Sequence, residues 1–68
     1  MKNLILDGTE SVGEIADRME IPRADVLRMA FERLGRMWTV TEALERSDTA
    51  LLAEQYGYRV RWLSPPSA

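Results

Sequence analysis

Sixty-eight residues and 7.8 kDa allow one small domain, which by surface scaling exposes roughly 4,400 Å² folded against roughly 11,000 Å² unfolded and so buries about 60% of its surface. A composition of 46% apolar and 29% charged residues excludes a disordered or collagen-like chain, while the lack of cysteine and histidine excludes disulfides, thiolate or imidazole metal sites and the usual general base. Nine basic against eleven acidic groups, a net charge of −2, exclude a polycation that coats nucleic acid, so any such contact must come from a local patch.

The segment Asn3 to Leu6, closed by Asp7-Gly8, reads as a short strand and turn. Its three-residue apolar run is far short of a signal peptide or a membrane span, so the sequence predicts a cytoplasmic protein without a membrane partner. Ser11-Val12-Gly13-Glu14 is a capping box, in which the serine hydroxyl accepts from the Glu14 amide and the glutamate reaches back to the Ser11 amide. Val12, Ile15, Ala16 and Met19 then share one face of a helix that runs to about Glu20, with Glu14, Asp17 and Arg18 opposite.

Ile21-Pro22 breaks that helix and opens the next, Arg23 to Leu34. Leu27, Ala30, Phe31 and Leu34 form its predicted apolar face with Val26 at the margin. Asp25, Arg28, Met29, Glu32 and Arg33 fill the other face, and Gly35 is placed as the left-handed residue beyond the last turn. Met37-Trp38-Thr39-Val40-Thr41, rich in aromatic and β-branched residues, predicts a second short strand. A third helix is expected from Glu45 or Ser47 to Tyr56, capped by Gly57, with Leu44, Leu51, Leu52 and Tyr56 on its apolar side. Tyr58, Val60 and Trp62 alternate with Arg59 and Arg61, the pattern of a half-buried strand with its arginines outward. The expected organisation is one domain over residues 1–63 and a Pro/Ser-rich tail over 64–68.

Little chemistry is encoded. The only lysine is Lys2, so no phosphate-binding P-loop exists, and G-x-S-x-G, zinc spacings and a serine with a histidine base are all missing. Carboxylate pairs such as Glu14 with Asp17, or Glu42 with Glu45, are what eleven acids on solvated helices produce. The sequence therefore predicts no enzyme, no catalytic residue, no cofactor and no metal.

Two binding features remain. The first two helices have a helix-turn-helix outline, yet the second opens with Arg23 beside Asp25 and offers no Asn, Gln, Ser or Thr to base edges, so DNA is the less favoured partner. Eight of the nine basic residues are arginine. If the C-terminal strand lies near the end of helix two, Arg28, Arg33, Arg36, Arg59 and Arg61 converge with Trp38 and Trp62 into a phosphate-binding and base-stacking surface for RNA. The alternative is that both tryptophans anchor the core; Trp62 is assigned there, and Trp38 fits either role.

Ser11 to Met19, then Val26-Leu27-Arg28, Leu34-Gly35, Met37, and Leu44 through Ala53-Glu54-Gln55-Tyr56-Gly57-Tyr58 together resemble the N-terminal domain of bacterial translation initiation factor two, over about residues 10 to 60. Pro22 stands where that family usually carries a capping serine, helix two is one residue longer before Leu34-Gly35, and Thr41-Glu42 replaces an Asn-Gln pair. The resemblance implies a small mixed module associated in the family with contacts to the small ribosomal subunit and with tethering. Only Arg28 matches a family basic position on the outer face of helix two, so fold transfers better than site.

The expected fold is thus α+β, three helices with short strands in the order β-α-α-β-α-β and a helix-turn-helix-like first pair. Its predicted core is Leu4, Leu6, Val12, Ile15, Ala16, Met19, Val26, Leu27, Phe31, Leu34, Val40, Leu51, Leu52, Tyr56, Val60 and Trp62. The expected function is a binding module that docks on the small ribosomal subunit or its RNA, or on a protein partner. Its contact residues are drawn from Arg23, Arg28, Arg33, Arg36, Trp38, Arg59 and Arg61, with a helix-turn-helix DNA binder, or an adaptor or assembly subunit acting by protein-protein interaction, as alternatives.

Overall fold

A computed structural model describes residues 2–64. Its elements are β1 (Lys2–Leu6), α1 (Val12–Met19), α2 (Arg23–Leu34), α3 (Arg46–Gln55) and β2 (Tyr58–Trp62). Both strands form one parallel pair, in the register Leu4 with Val60 and Leu6 with Trp62, so the first and last elements lie side by side. Packing runs in sequence around the molecule: β1 on β2, β2 on α3, α3 on α2, and α2 on α1. Leu4 and Leu6 point into the core, where they meet Val12, Ile15, Ala16 and Met19 of α1, Val26 and Ala30 of α2, and Leu44, Leu52 and Ala53. Thr49 is the one fully buried polar side chain among the described residues. Its hydroxyl donates to the Glu45 carbonyl at 2.9 Å, so burial leaves it satisfied.

Both early helices follow their local signals. The Ser11 capping box is formed in both directions, at 3.2 Å to the Glu14 amide and 3.0 Å back to the Ser11 amide. α2 starts at Arg23 after Pro22 and ends at Gly35, whose φ of 79° needs no Cβ-free tolerance beyond what glycine supplies. The α1 end is less comfortable: Glu20 is left-handed at φ 58°, held there because its amide donates to the Ala16 and Asp17 carbonyls of the last turn and that of Ile21 to the Ala16 carbonyl.

The predicted strand at Met37 to Thr41 is absent. Residues 37–43 form a loop and turn instead, and the sheet-like pairing nearby, among the described residues, is an isolated antiparallel bridge between Ser11 and Ala43. The cause is a competing use of the same backbone carbonyls. Val40 O accepts the Gly13 amide at 2.9 Å and Glu42 O accepts the Val12 amide at 3.0 Å, which satisfies two of the amides that the first turn of α1 leaves open. Glu42 fixes the loop in turn: its carboxylate takes the Thr39 amide and the Arg36 guanidinium, each at 2.9 Å.

The core also departs from the helical-wheel expectation on two helices. Phe31 is 54% exposed and Leu51 is 38% exposed, whereas Ala30, Leu44 and Ala53 are buried. α2 is rotated by about one residue, so that Val26 and Ala30 centre its buried face. Leu27, Met29 and Leu34 flank them, half-buried, and Phe31 is turned to solvent. Tyr56, Val60 and Trp62 are likewise half-buried against the core, and Val40 is half-buried in its loop. Ser64 is tied to the bend just after β1, its hydroxyl 2.8 Å from the Asp7 carbonyl and carboxylate; the remainder of the expected tail, 65–68, lies outside the described residues.

Three stability measurements follow from the α1 ends and the loop they hold. In an open helix Gly13→Ala would gain about 1 kcal/mol, but here the new Cβ falls 3.0 Å from Val40 O, the acceptor of the residue's own amide. Urea unfolding is expected to show a loss of about 1 kcal/mol or more; Glu20→Gly should instead gain about 1 kcal/mol by relieving the left-handed residue. The third is pH. Arg36 first and the Thr39 amide second hold Glu42 below the ordinary carboxylate range, and the Ser11 amide and hydroxyl do the same for Glu14. Unfolded, both return to about 4.3, so their stabilisation is complete above that pH and is lost as pH falls through their lower folded values. Urea midpoints measured from neutral pH downward should therefore fall on the acid side, with a shallower fall in Glu42→Gln.

Candidate docking surface

Few cations are left uncommitted by the fold. Arg18 pairs with Glu10 and Arg23 with Asp17, the latter through two hydrogen bonds at 2.7 and 3.2 Å that tie α1 to the start of α2. That contact raises the Arg23 pKa and lowers that of Asp17, and it turns a candidate nucleic-acid or partner contact into a bracket between two helices. Arg36 is similarly engaged. Its guanidinium lies 3.6 Å from the centre of the Trp38 ring while donating to Glu42, so one face of Trp38 is covered by a cation and the ring packs against the core. The Trp38 indole nitrogen is buried without a hydrogen-bond partner.

Cations also sit over the other candidate rings. Arg46 lies 4.6 Å from the Trp62 ring centre and donates to the Ser64 carbonyl at 2.9 Å, and Lys2 lies 5.7 Å from that of Tyr58. The Tyr56 and Tyr58 hydroxyls donate to the Asp25 and Met19 carbonyls, pinning α3 and β2 to the helix pair. Burial is the main cause that raises the Tyr56 pKa. Each large ring near the predicted RNA surface thus has a structural duty.

Arg28, Arg33, Arg59 and Arg61 remain on the surface. Arg28 has only a 3.4 Å contact with Asp25, one turn away on the same exposed helix face, an arrangement that contributes little in water. Arg33, Arg59 and Arg61 make no ion pair among the described residues. The four do not form one patch: Arg28 and Arg33 are about 140° apart around α2 at 3.6 residues per turn, and Arg59 and Arg61 share the outer face of β2 with Asn3 and Ile5 of β1. One surface residue was missed by sequence reasoning. Phe31, expected in the core, lies exposed three residues from Arg28 on the same side of α2, and no sequence signal separates it from the half-buried Leu27 and Leu34.

No helix of the described residues is long and apolar enough to cross a membrane, and they hold no cluster of acidic side chains suited to a metal ion.

Residues 9–59 match the family described as "Translation initiation factor IF-2, N-terminal region". Among curated relatives, the initiation factor IF-2 of Granulibacter bethesdensis is 36% identical over 94% of this chain and 7% of its own length. That of Pelobacter propionicus is 42% identical over 76% of the chain and 6% of its own length, and that of Gluconacetobacter diazotrophicus 34% identical over 90% and 7%. The chain thus spans less than a tenth of the length of the relatives it matches. The matched region takes in the α1 capping box, the Gly13 contact, the 37–43 loop and α3, the parts that fix the fold. The chain belongs to the family of the IF-2 N-terminal region.

Proposed function

We propose that this domain is a non-catalytic docking module of the translation apparatus that rests on the small ribosomal subunit through RNA, using the solvent face of α2. The observation that carries the reading is the exposed Phe31 beside Arg28. A sequence-tolerant RNA surface combines a cation that meets phosphate with an aromatic ring on which a base stacks, and these two residues, a turn apart, offer that combination on the helix where the family resemblance places a basic residue. Arg33, exposed at the end of the same helix, adds charge from a second direction.

A helix-turn-helix reading of DNA is less well supported, because Arg23 at the opening of α2 is held by Asp17. Arg36 and Trp38 are better read as supports of the loop than as contacts, since each is occupied by the other.

Co-sedimentation with isolated small ribosomal subunits at low and at moderate salt tests the proposal. The protein should be retained at both, more weakly at moderate salt because phosphate contacts release counterions. Arg28→Glu with Phe31→Ala should lower retention by about tenfold without loss of fold, as both side chains are exposed. Full retention of that variant, and of Arg28→Glu with Arg33→Glu, would show the site assignment to be wrong.

A further inference from the structure

The outer face of the two-stranded sheet is chemically unlike the α2 surface. Parallel sheets are ordinarily covered on both faces, and here α3 covers only one. On the bare side Ile5 is 53% exposed and Leu63 is 69% exposed; Leu63 continues the ladder by donating its amide to the Leu6 carbonyl at 2.8 Å, which keeps it in phase with Arg59 and Arg61. The face therefore presents an aliphatic pair beside two arginines about 7 Å apart. Those arginines are exposed and have no carboxylate partner among the described residues, although Arg18, Arg23, Arg28 and Arg36 all find one.

This combination selects among ligands. RNA would find phosphate contacts here but no stacking platform, because Tyr58 and Trp62 point to the opposite side of β2 and lie under Lys2 and Arg46. Exposed aliphatic side chains are instead covered well by other aliphatic side chains, and the element that covers a parallel sheet is a helix. We propose that the Ile5, Leu63, Arg59 and Arg61 face docks an acidic amphipathic helix of a protein partner, whose apolar stripe covers the aliphatic pair and whose carboxylates meet the two arginines. The proposal is independent of the ribosome reading, which rests on α2.

The test is a titration of the 15N-labelled chain, followed by amide shifts, with three probes: an 18-residue Leu/Glu amphipathic helical peptide, the same peptide with lysine for glutamate, and poly(U). The Leu/Glu peptide should shift Ile5, Arg59, Arg61 and Leu63 saturably and the lysine peptide should not. Arg59→Glu with Arg61→Glu should weaken the Leu/Glu peptide by on the order of tenfold or more, and Ile5→Ser should weaken it without altering the charge of the face. Unmoved sheet amides, equal binding of the two peptides, undiminished binding by the arginine variant, or shifts of the same amides by poly(U) alone would each overturn the proposal.

Discussion

The amino end of α1 is the joint on which the rest of the domain depends. A helix start exposes backbone amides that cannot bond within the helix, and here each of the first ones has an assigned acceptor: Val12 uses Glu42 O, Gly13 uses Val40 O, and Glu14 uses the Ser11 hydroxyl. Two of the three acceptors come from a loop some thirty residues away in sequence. This closes the helix end and at the same time fixes where the chain runs between α2 and α3, so that Leu44 and Leu52 reach the core. Gly13 is what permits the approach, since a side chain there would meet the very carbonyl that its amide requires. The first turn of α1 is thus less a binding site for an anion than an internal socket already filled by protein oxygen.

Charge is distributed with the same economy. An arginine-rich chain of net charge −2 has little free cation once its helices are bracketed. Asp17 with Arg23 joins α1 to α2 across the break between them, Glu42 with Arg36 closes the loop that follows α2, and Lys2, Arg36 and Arg46 lie over aromatic rings. What is left over falls into two small, separate sets with different neighbours, an aromatic one on α2 and an aliphatic one on the sheet. Their separation follows from the architecture, because α2 packs on α1 and α3 while β2 packs on β1 and α3.

Features governed by near neighbours were legible in the sequence. The Ser11 box, the Pro22 break, the Gly35 end and the alternation of Arg59 and Arg61 with Val60 all depend on residues within four positions, and all appear as expected. Misreadings arise where a distant partner decides. Val26, Leu27, Ala30, Phe31 and Leu34 span so wide an arc of α2 that either edge could face inward, and contact with α1 and α3 rather than periodicity chooses Ala30 over Phe31. The Trp38-Thr39-Val40-Thr41 run has the composition of a strand, but its carbonyls are drawn to α1. For the same reason the surface arginines could be counted but not sorted: which of them meets Asp17 or Glu42 is settled only after the chain has turned.

The sheet joins the beginning of the fold to its end. Pairing β1 with β2 brings together the strands most distant in sequence, with all three helices enclosed between them, so this pairing carries the largest entropic penalty of chain closure in the fold. Before β2 is in place, Leu4 and Leu6 have no strand beside them and α3 has no sheet to rest on. A domain arranged in this way gains little from partial assembly. It is expected to appear all at once when the last strand arrives, more slowly than a bundle of three helices of the same size held by contacts between neighbours in sequence.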